Sequence, residues 1–153
     1  MVSKLKVLST ALAVCLALVV VSAVALAAKP NQVRGGTYMG TLLPATRGIG
    51  VSFRVSSNGK KVTLLSITNI PIYCSGGGPP IPIRFKDAAI SSKGAFTSKA
   101  NYVIKVGPLK GQIGEKLKIT GKFLKGRSEQ GTLTTTYPHA AACGGKSPYT
   151  TKA

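Results

Sequence analysis

From Pro30 onward, glycine and proline punctuate this chain so densely that long helices have no room. All 18 glycines and all nine prolines lie from Pro30 onward, and the longest later stretch free of both is the twelve residues Ala95 to Val106. In a helix interior glycine costs about 1 kcal/mol and proline about 3 kcal/mol relative to alanine. Between these breaks apolar and polar residues alternate, as half-buried strands require. In "VSFRVS", Val51, Phe53 and Val55 share one face while Ser52, Arg54 and Ser56 share the other. In "KLKITGKF", Leu117, Ile119 and Phe123 point inward and Lys116, Lys118, Thr120 and Lys122 outward.

Turn chemistry supplies the boundaries. "SSNGKK" carries Asn58 and Gly59, a strong hairpin signal that joins a strand over Val51 to Ser56 with one over Val62 to Thr68. Weaker turns are expected at Lys93 and Gly94 and across Gly126 to Gly131. The other expected strands are Thr37 to Leu43, Ile81 to Ile90, Ala95 to Ser98, Tyr102 to Val106, Gly131 to Tyr137 and Tyr149 to Lys152. Such a pattern predicts an all-β fold, an antiparallel β-sandwich of about 8–9 short strands, with a small β-barrel as the alternative. The recurring "GTY", "GTL" and "GTL" at Gly36, Gly40 and Gly131 have no fixed period and read as similar strand starts.

The N-terminus has the layout of a secretory signal. Lys4 and Lys6 precede "VLSTALAVCLALVVVSAVALAA", which carries no charge before Lys29, and Ala25 and Ala27 fit the small-residue rule for cleavage after Ala27. The expected organisation is therefore a signal peptide over 1–27, a tail over 28–36 and one domain over 37–153. An uncleaved N-terminal helix acting as an anchor is the alternative, since about 20 apolar residues suffice to span a bilayer. With the leader removed the chain is expected to be secreted or associated with the cell wall; with it retained, the chain would be held at the membrane by that helix.

Export changes the cysteine arithmetic. Without Cys15, only Cys74 and Cys143 remain, in a compartment that tolerates disulfides. A Cys74–Cys143 bond would close a loop of about 70 residues and stabilise the fold by about 4 kcal/mol in the chain-entropy model. Two separate thiols or an intermolecular bridge are the alternatives. The loop "CSGGGPPIP" that follows Cys74 reads as an irregular crossover, because its consecutive prolines remove the N–H donors an anion cradle would need.

Charge is the other strong signal. The full chain carries a formal +18. Without Lys4 and Lys6, 19 basic residues face three acids, Asp87, Glu115 and Glu129, and two of those acids lie in turn-like segments. Strand alternation places Arg54, Arg84, Lys86, Lys105, Lys116, Lys118 and Lys122 on outward faces. Such a surface favours anionic partners and resists self-association, so a monomer is expected.

Several of these stretches call a family to mind. The opening "GGTYMGTLL", the "VSFRVSSNGKKVT" hairpin, a cysteine just before a glycine cluster, "GKFLKGRSEQGTL" and the closing "CGGKSPYTTKA" together resemble a group of small secreted β-sandwich proteins of high-GC Gram-positive bacteria. The resemblance covers nearly all of the expected mature chain, and implies a fold and an exported life but no activity. Tyr149, Thr150, Lys152 and Ala153 resemble the group's usual ending, while Pro148 departs from it.

Catalytic chemistry finds few groups here. Paired-carboxylate hydrolysis needs two acids about 5–10 Å apart, and a nucleophilic triad would have to use the sole histidine, His139, with no G-x-S-x-G elbow beside it. Structural zinc takes four ligands, more than two cysteines and one histidine supply, and three scattered acids suit calcium poorly. "CGGKS" resembles the tail of a phosphate loop, but Ala140 stands where its first glycine belongs. No cofactor is expected. The absence of Trp and the small number of Tyr and Phe argue against sequence-specific nucleic-acid recognition. The sequence thus points to a non-catalytic binding or structural module whose basic face meets anionic envelope polymers or lipid head groups. A carrier of a small apolar ligand and a hydrolase using His139 are the alternatives.

Overall fold

The computed structural model describes residues 32–43, 48–70 and 81–153. The expected leader with Cys15, residues 28–31 of the expected tail, and the 71–80 loop with Cys74 lie outside the described residues.

Among the described residues there are nine antiparallel strands: β1 (Thr37–Leu42), β2 (Gly50–Val55), β3 (Lys61–Ile70), β4 (Ile81–Arg84), β5 (Ala88–Ala89), β6 (Ala95–Val103), β7 (Ile113–Phe123), β8 (Ser128–Thr136) and β9 (Gly145–Lys152). One 3-10 turn, Ala141–Cys143, precedes β9, and no α-helix occurs among the described residues. The all-β expectation holds in that form. Division into two sheets is not seen, because pairing runs along a single path, β4-β3-β2-β1-β9-β8-β7-β6, with β5 paired to β3. The sheet curls until β6 nears the β4–β5 segment, where the Ser98 hydroxyl donates to the Lys86 carbonyl at 2.6 Å. The result is a nearly closed barrel.

Alternation decides what faces inward. Val51, Phe53 and Val55 from β2, Leu117, Ile119 and Phe123 from β7, and Leu133 and Tyr149 from the next two strands are all buried. Toward the end of the barrel where β1 and β6 begin, the interior is filled by rings. Tyr38 stacks on Phe53 at 5.0 Å, and Phe123 and Phe96 meet Phe53 edge-on at 6.0 and 5.5 Å. Such arrangements add about 0.5–1.5 kcal/mol per pair beyond the area they bury.

Two strands run further than the sequence suggests. The expected Ala95 to Ser98 and Tyr102 to Val106 strands merge into one strand, β6, which ends at Val103 and not at Val106; the merger follows because the polar Ser98 at an inward position finds the Lys86 carbonyl and the alternation continues through Ala100. Strand β9 begins at Gly145 and passes through Pro148. The Pro148 carbonyl accepts the Leu43 N–H at 2.7 Å, so the proline's missing donor faces β1 just where β1 ends. Proline is tolerated at such a place because the bond forgone is only the reciprocal one to Leu43, at the end of the β1–β9 ladder.

The Asn58-Gly59 hairpin forms as expected. Gly59 takes φ 72°, and the Asn58 side-chain oxygen accepts from the Ser56 hydroxyl at 2.8 Å and the Lys60 N–H at 3.0 Å. Residues 32–36, expected as a tail, are tied to this hairpin: Gln32 Nε2 donates to the Gly59 carbonyl and the Tyr38 hydroxyl accepts the Val33 N–H, each at 2.9 Å.

Candidate functional site

The outward face of β6, β7, β8 and β9 is built from lysine, threonine and neutral polar residues. Register places them in rows across the strands. Lys99 lies opposite Lys118, Lys118 opposite Thr134, and Thr134 opposite Lys146. The next row toward the end of β6 is Asn101, Lys116 and Thr136, and on the other side Thr97, Thr120 and Thr132 form a threonine row. Beyond it, Lys122 pairs with Gln130 and Gln130 with Thr150. An open groove of about 570 Å³ crosses this face, lined by Thr97, Thr120, Lys122, Gln130, Thr132 and Thr150 among others.

Physical reasoning makes the lysine rows unusual. Like charges directly opposite one another on a sheet are destabilising by a few tenths to about 1 kcal/mol, yet Lys99 and Lys118 are direct partners. Adjacent strands are about 4.8 Å apart and alternate residues about 7 Å. Both spacings fall within the screening length of about 8 Å at physiological ionic strength. Lys99, Lys116 and Lys118 therefore act on an approaching anion together.

The acids explain why nothing offsets them. Glu115 and Glu129 are fully buried at 0% exposure, which leaves Asp87 as the one acidic side chain of the chain's three that faces solvent. Inside the barrel, Glu129 accepts from the Tyr149 hydroxyl and the Thr151 hydroxyl, each at 2.8 Å. Burial nevertheless pushes its pKa up to about 7, with the bonds from Thr151, Tyr149 and the Lys122 backbone opposing the shift. Glu115 is likewise raised to about 7 by burial, opposed by the facing Tyr137 hydroxyl. That hydroxyl acts on the carboxyl charge, but neither Glu115 oxygen has a partner in good hydrogen-bond geometry. Burial and the neighbouring Glu115 push Tyr137 up to about 12.

Only part of the basic set expected from sequence comes together. Lys116, Lys118 and Lys122 share the β7 exterior. Lys105 lies in the exposed loop beyond β6, and Lys86 follows β4 at the seam beside Asp87. Arg54 and Arg84 belong to the β2–β3–β4 side, opposite Thr63 and Ser66. Arg54 is engaged there, its Nε donating to the Gly35 carbonyl at 3.2 Å.

Sequence reasoning missed Lys99 and Lys146. Lys99 fell between two expected strands, although extending the Phe96–Ser98 alternation by one step would have turned it outward. The same step back from Leu117 would have placed Glu115 inside, and four residues before Leu133 would have done so for Glu129; both are strand residues here and not turn residues.

His139 is exposed in the turn after β8, where the Ala140 N–H reaches the Tyr137 carbonyl at 3.1 Å. Among the described residues no three of the His, Cys, Asp and Glu side chains gather as a metal site would require. Among them also, no helix is long and apolar enough to cross a membrane. Comparison with known protein families, curated proteins and solved structures finds no match to this chain.

Proposed function

We propose that this is an exported, disulfide-closed, non-catalytic binding module that holds an anionic polymer or lipid surface of the cell envelope on the lysine and threonine face of β6 to β9. The observation that carries the reading is the uncompensated cross-strand pair Lys99 and Lys118 on a face without a single carboxylate. Lysines supply long-range attraction, while threonine hydroxyls and the Gln130 and Asn101 amides supply short-range donors. That combination suits phosphate-bearing chains better than neutral sugars, for which aromatic platforms are missing.

The test is binding to a phosphate-rich polymer at rising salt, with a neutral polymer of equal length as control. Affinity is expected to fall steeply with salt for the first and to be negligible for the second. Salt-independent or equal binding overturns the proposal.

The proposed Cys74–Cys143 bond belongs to the same reading. Cys143 closes the 3-10 turn before β9. Thiol titration of the unreduced exported protein is expected to find no free group. Two reactive groups per chain would remove the bond from the account.

A further inference from the structure

The connection between β6 and β7 projects a tip that the polymer reading does not use. Over 104–112 the chain folds on itself through Gly107 and Gly111, both with positive φ, closed by Ile104 N–H to Gln112 C=O at 3.0 Å and Gly111 N–H to Ile104 C=O at 2.9 Å. The half-buried Ile104 side chain packs over Gly114. Val103, Val106 and Leu109 face solvent: Val106 is 69% exposed and Leu109 39% exposed. Scattered surface apolar residues need no explanation. Three on one hairpin end, with exposed Lys105 and Lys110 interleaved and Lys116 on the stem below, form a pattern.

We infer that this hairpin tip inserts into an anionic lipid bilayer, with Val106 and Leu109 entering the acyl boundary and Lys105, Lys110 and Lys116 ringing it at the phosphate level. The inference deepens the envelope-binding reading and rests on it, choosing the lipid surface as partner. Charge complementarity supports that choice, because the tip carries lysines and no acid, and Glu115, the acid on its stem, is buried. Chemistry supports it as well. A soluble polymer gains nothing from exposed valine and leucine, whereas a bilayer rewards apolar burial and phosphate contact at once. Lysine stems are long enough to follow the apolar residues while their ammonium groups stay at the interface.

The chain has no tryptophan, so Val106→Trp installs a single fluorescent reporter at the tip. The exported protein carrying it is mixed with vesicles containing phosphatidylglycerol and with vesicles of phosphatidylcholine alone. A blue shift, with quenching by lipids brominated in the acyl chain, is expected for the first and not for the second. Without the reporter, Val106→Ser with Leu109→Ser is expected to lower partition onto anionic vesicles at least tenfold and to leave retention on the phosphate-rich polymer unchanged. Vesicle binding without a blue shift overturns insertion, and so does polymer binding without vesicle binding; both leave the basic face standing. Failure to bind vesicles and polymer alike overturns the basic-face reading together with the insertion.

Discussion

Gly131→Ala is expected to lower the unfolding midpoint by more than about 10 °C, a loss of roughly 3 kcal/mol or more in a domain of this size. The reason is geometric. A Cβ at position 131 would collide with the Thr120 carbonyl oxygen across the β7–β8 ladder and sit 2.5–2.6 Å from the Tyr149 ring and hydroxyl. Backbone cannot withdraw from such a clash without breaking the ladder. Displacing Tyr149 would also disturb its bonds to the Glu129 carboxyl at 2.8 Å and the Thr120 carbonyl at 3.1 Å. Gly145→Ala is the control, since a Cβ there meets nothing within 4 Å. It is expected to be neutral or to stabilise by up to about 1 kcal/mol through the unfolded chain. Thermal melts of the two variants at one pH decide it, and equal midpoints would contradict the packing described around Gly131.

Stability is expected to rise as pH falls from 8 to 5, the reverse of the usual acid sensitivity of carboxylates. Glu115 and Glu129 have folded pKa values raised to about 7 from the ordinary 4.5. Between those limits the folded chain therefore holds more protons than the unfolded chain, and each proton released as pH rises costs stability. Their contribution is complete below about pH 4.5 and is lost as pH rises through about 7. An upper figure of about 3 kcal/mol for each carboxyl follows from the size of the shift. Glu129→Gln keeps the shape and an acceptor for Tyr149 while removing the charge. It is expected to raise the midpoint at pH 8 and to flatten the pH slope, and Glu115→Gln to flatten it further. A midpoint that climbs from pH 5 to pH 8 would show that both carboxylates are held charged inside.

Burying those two glutamates links stability to surface charge. A chain with three acids that hides two of them presents an exterior that is cationic nearly everywhere, and so gains reach toward anions without adding a lysine. The arrangement also lets Lys99 and Lys118 stand opposite one another with no carboxylate on their face to neutralise them.

Strands were legible in the sequence wherever a two-residue period met a turn residue, as with Val51, Phe53 and Val55 before Asn58-Gly59. Closure of the sheet was not. It depends on close approaches that leave no trace in hydropathy: a Cβ on Gly40 would run into the Thr150–Thr151 backbone, and one on Gly121 into the Glu129 carboxyl and the Phe96 ring. Gly40 reads as a strand start and Gly121 as one position within a strand, because a glycine required for space carries no mark that sets it apart in sequence. The lysine face was half legible. Alternation turned Lys116, Lys118 and Lys122 outward, but only the register shows that Lys99 and Lys146 join them and that Arg54 and Arg84 lie elsewhere on the barrel.

That separation allows a direct test. Two variants each remove three cations, one Lys116, Lys118 and Lys122→Ala, the other Arg54, Arg84 and Lys86→Ala, so that net charge is equal and only its position differs. Retention on a phosphate-rich polymer is measured across a salt series for both beside the unaltered protein. At about 1 kcal/mol per lysine near an anionic surface, the first is predicted to bind about 100-fold more weakly and the second less than about threefold. Equal losses would mean that net charge alone governs binding, and would contradict a site on β6 to β9.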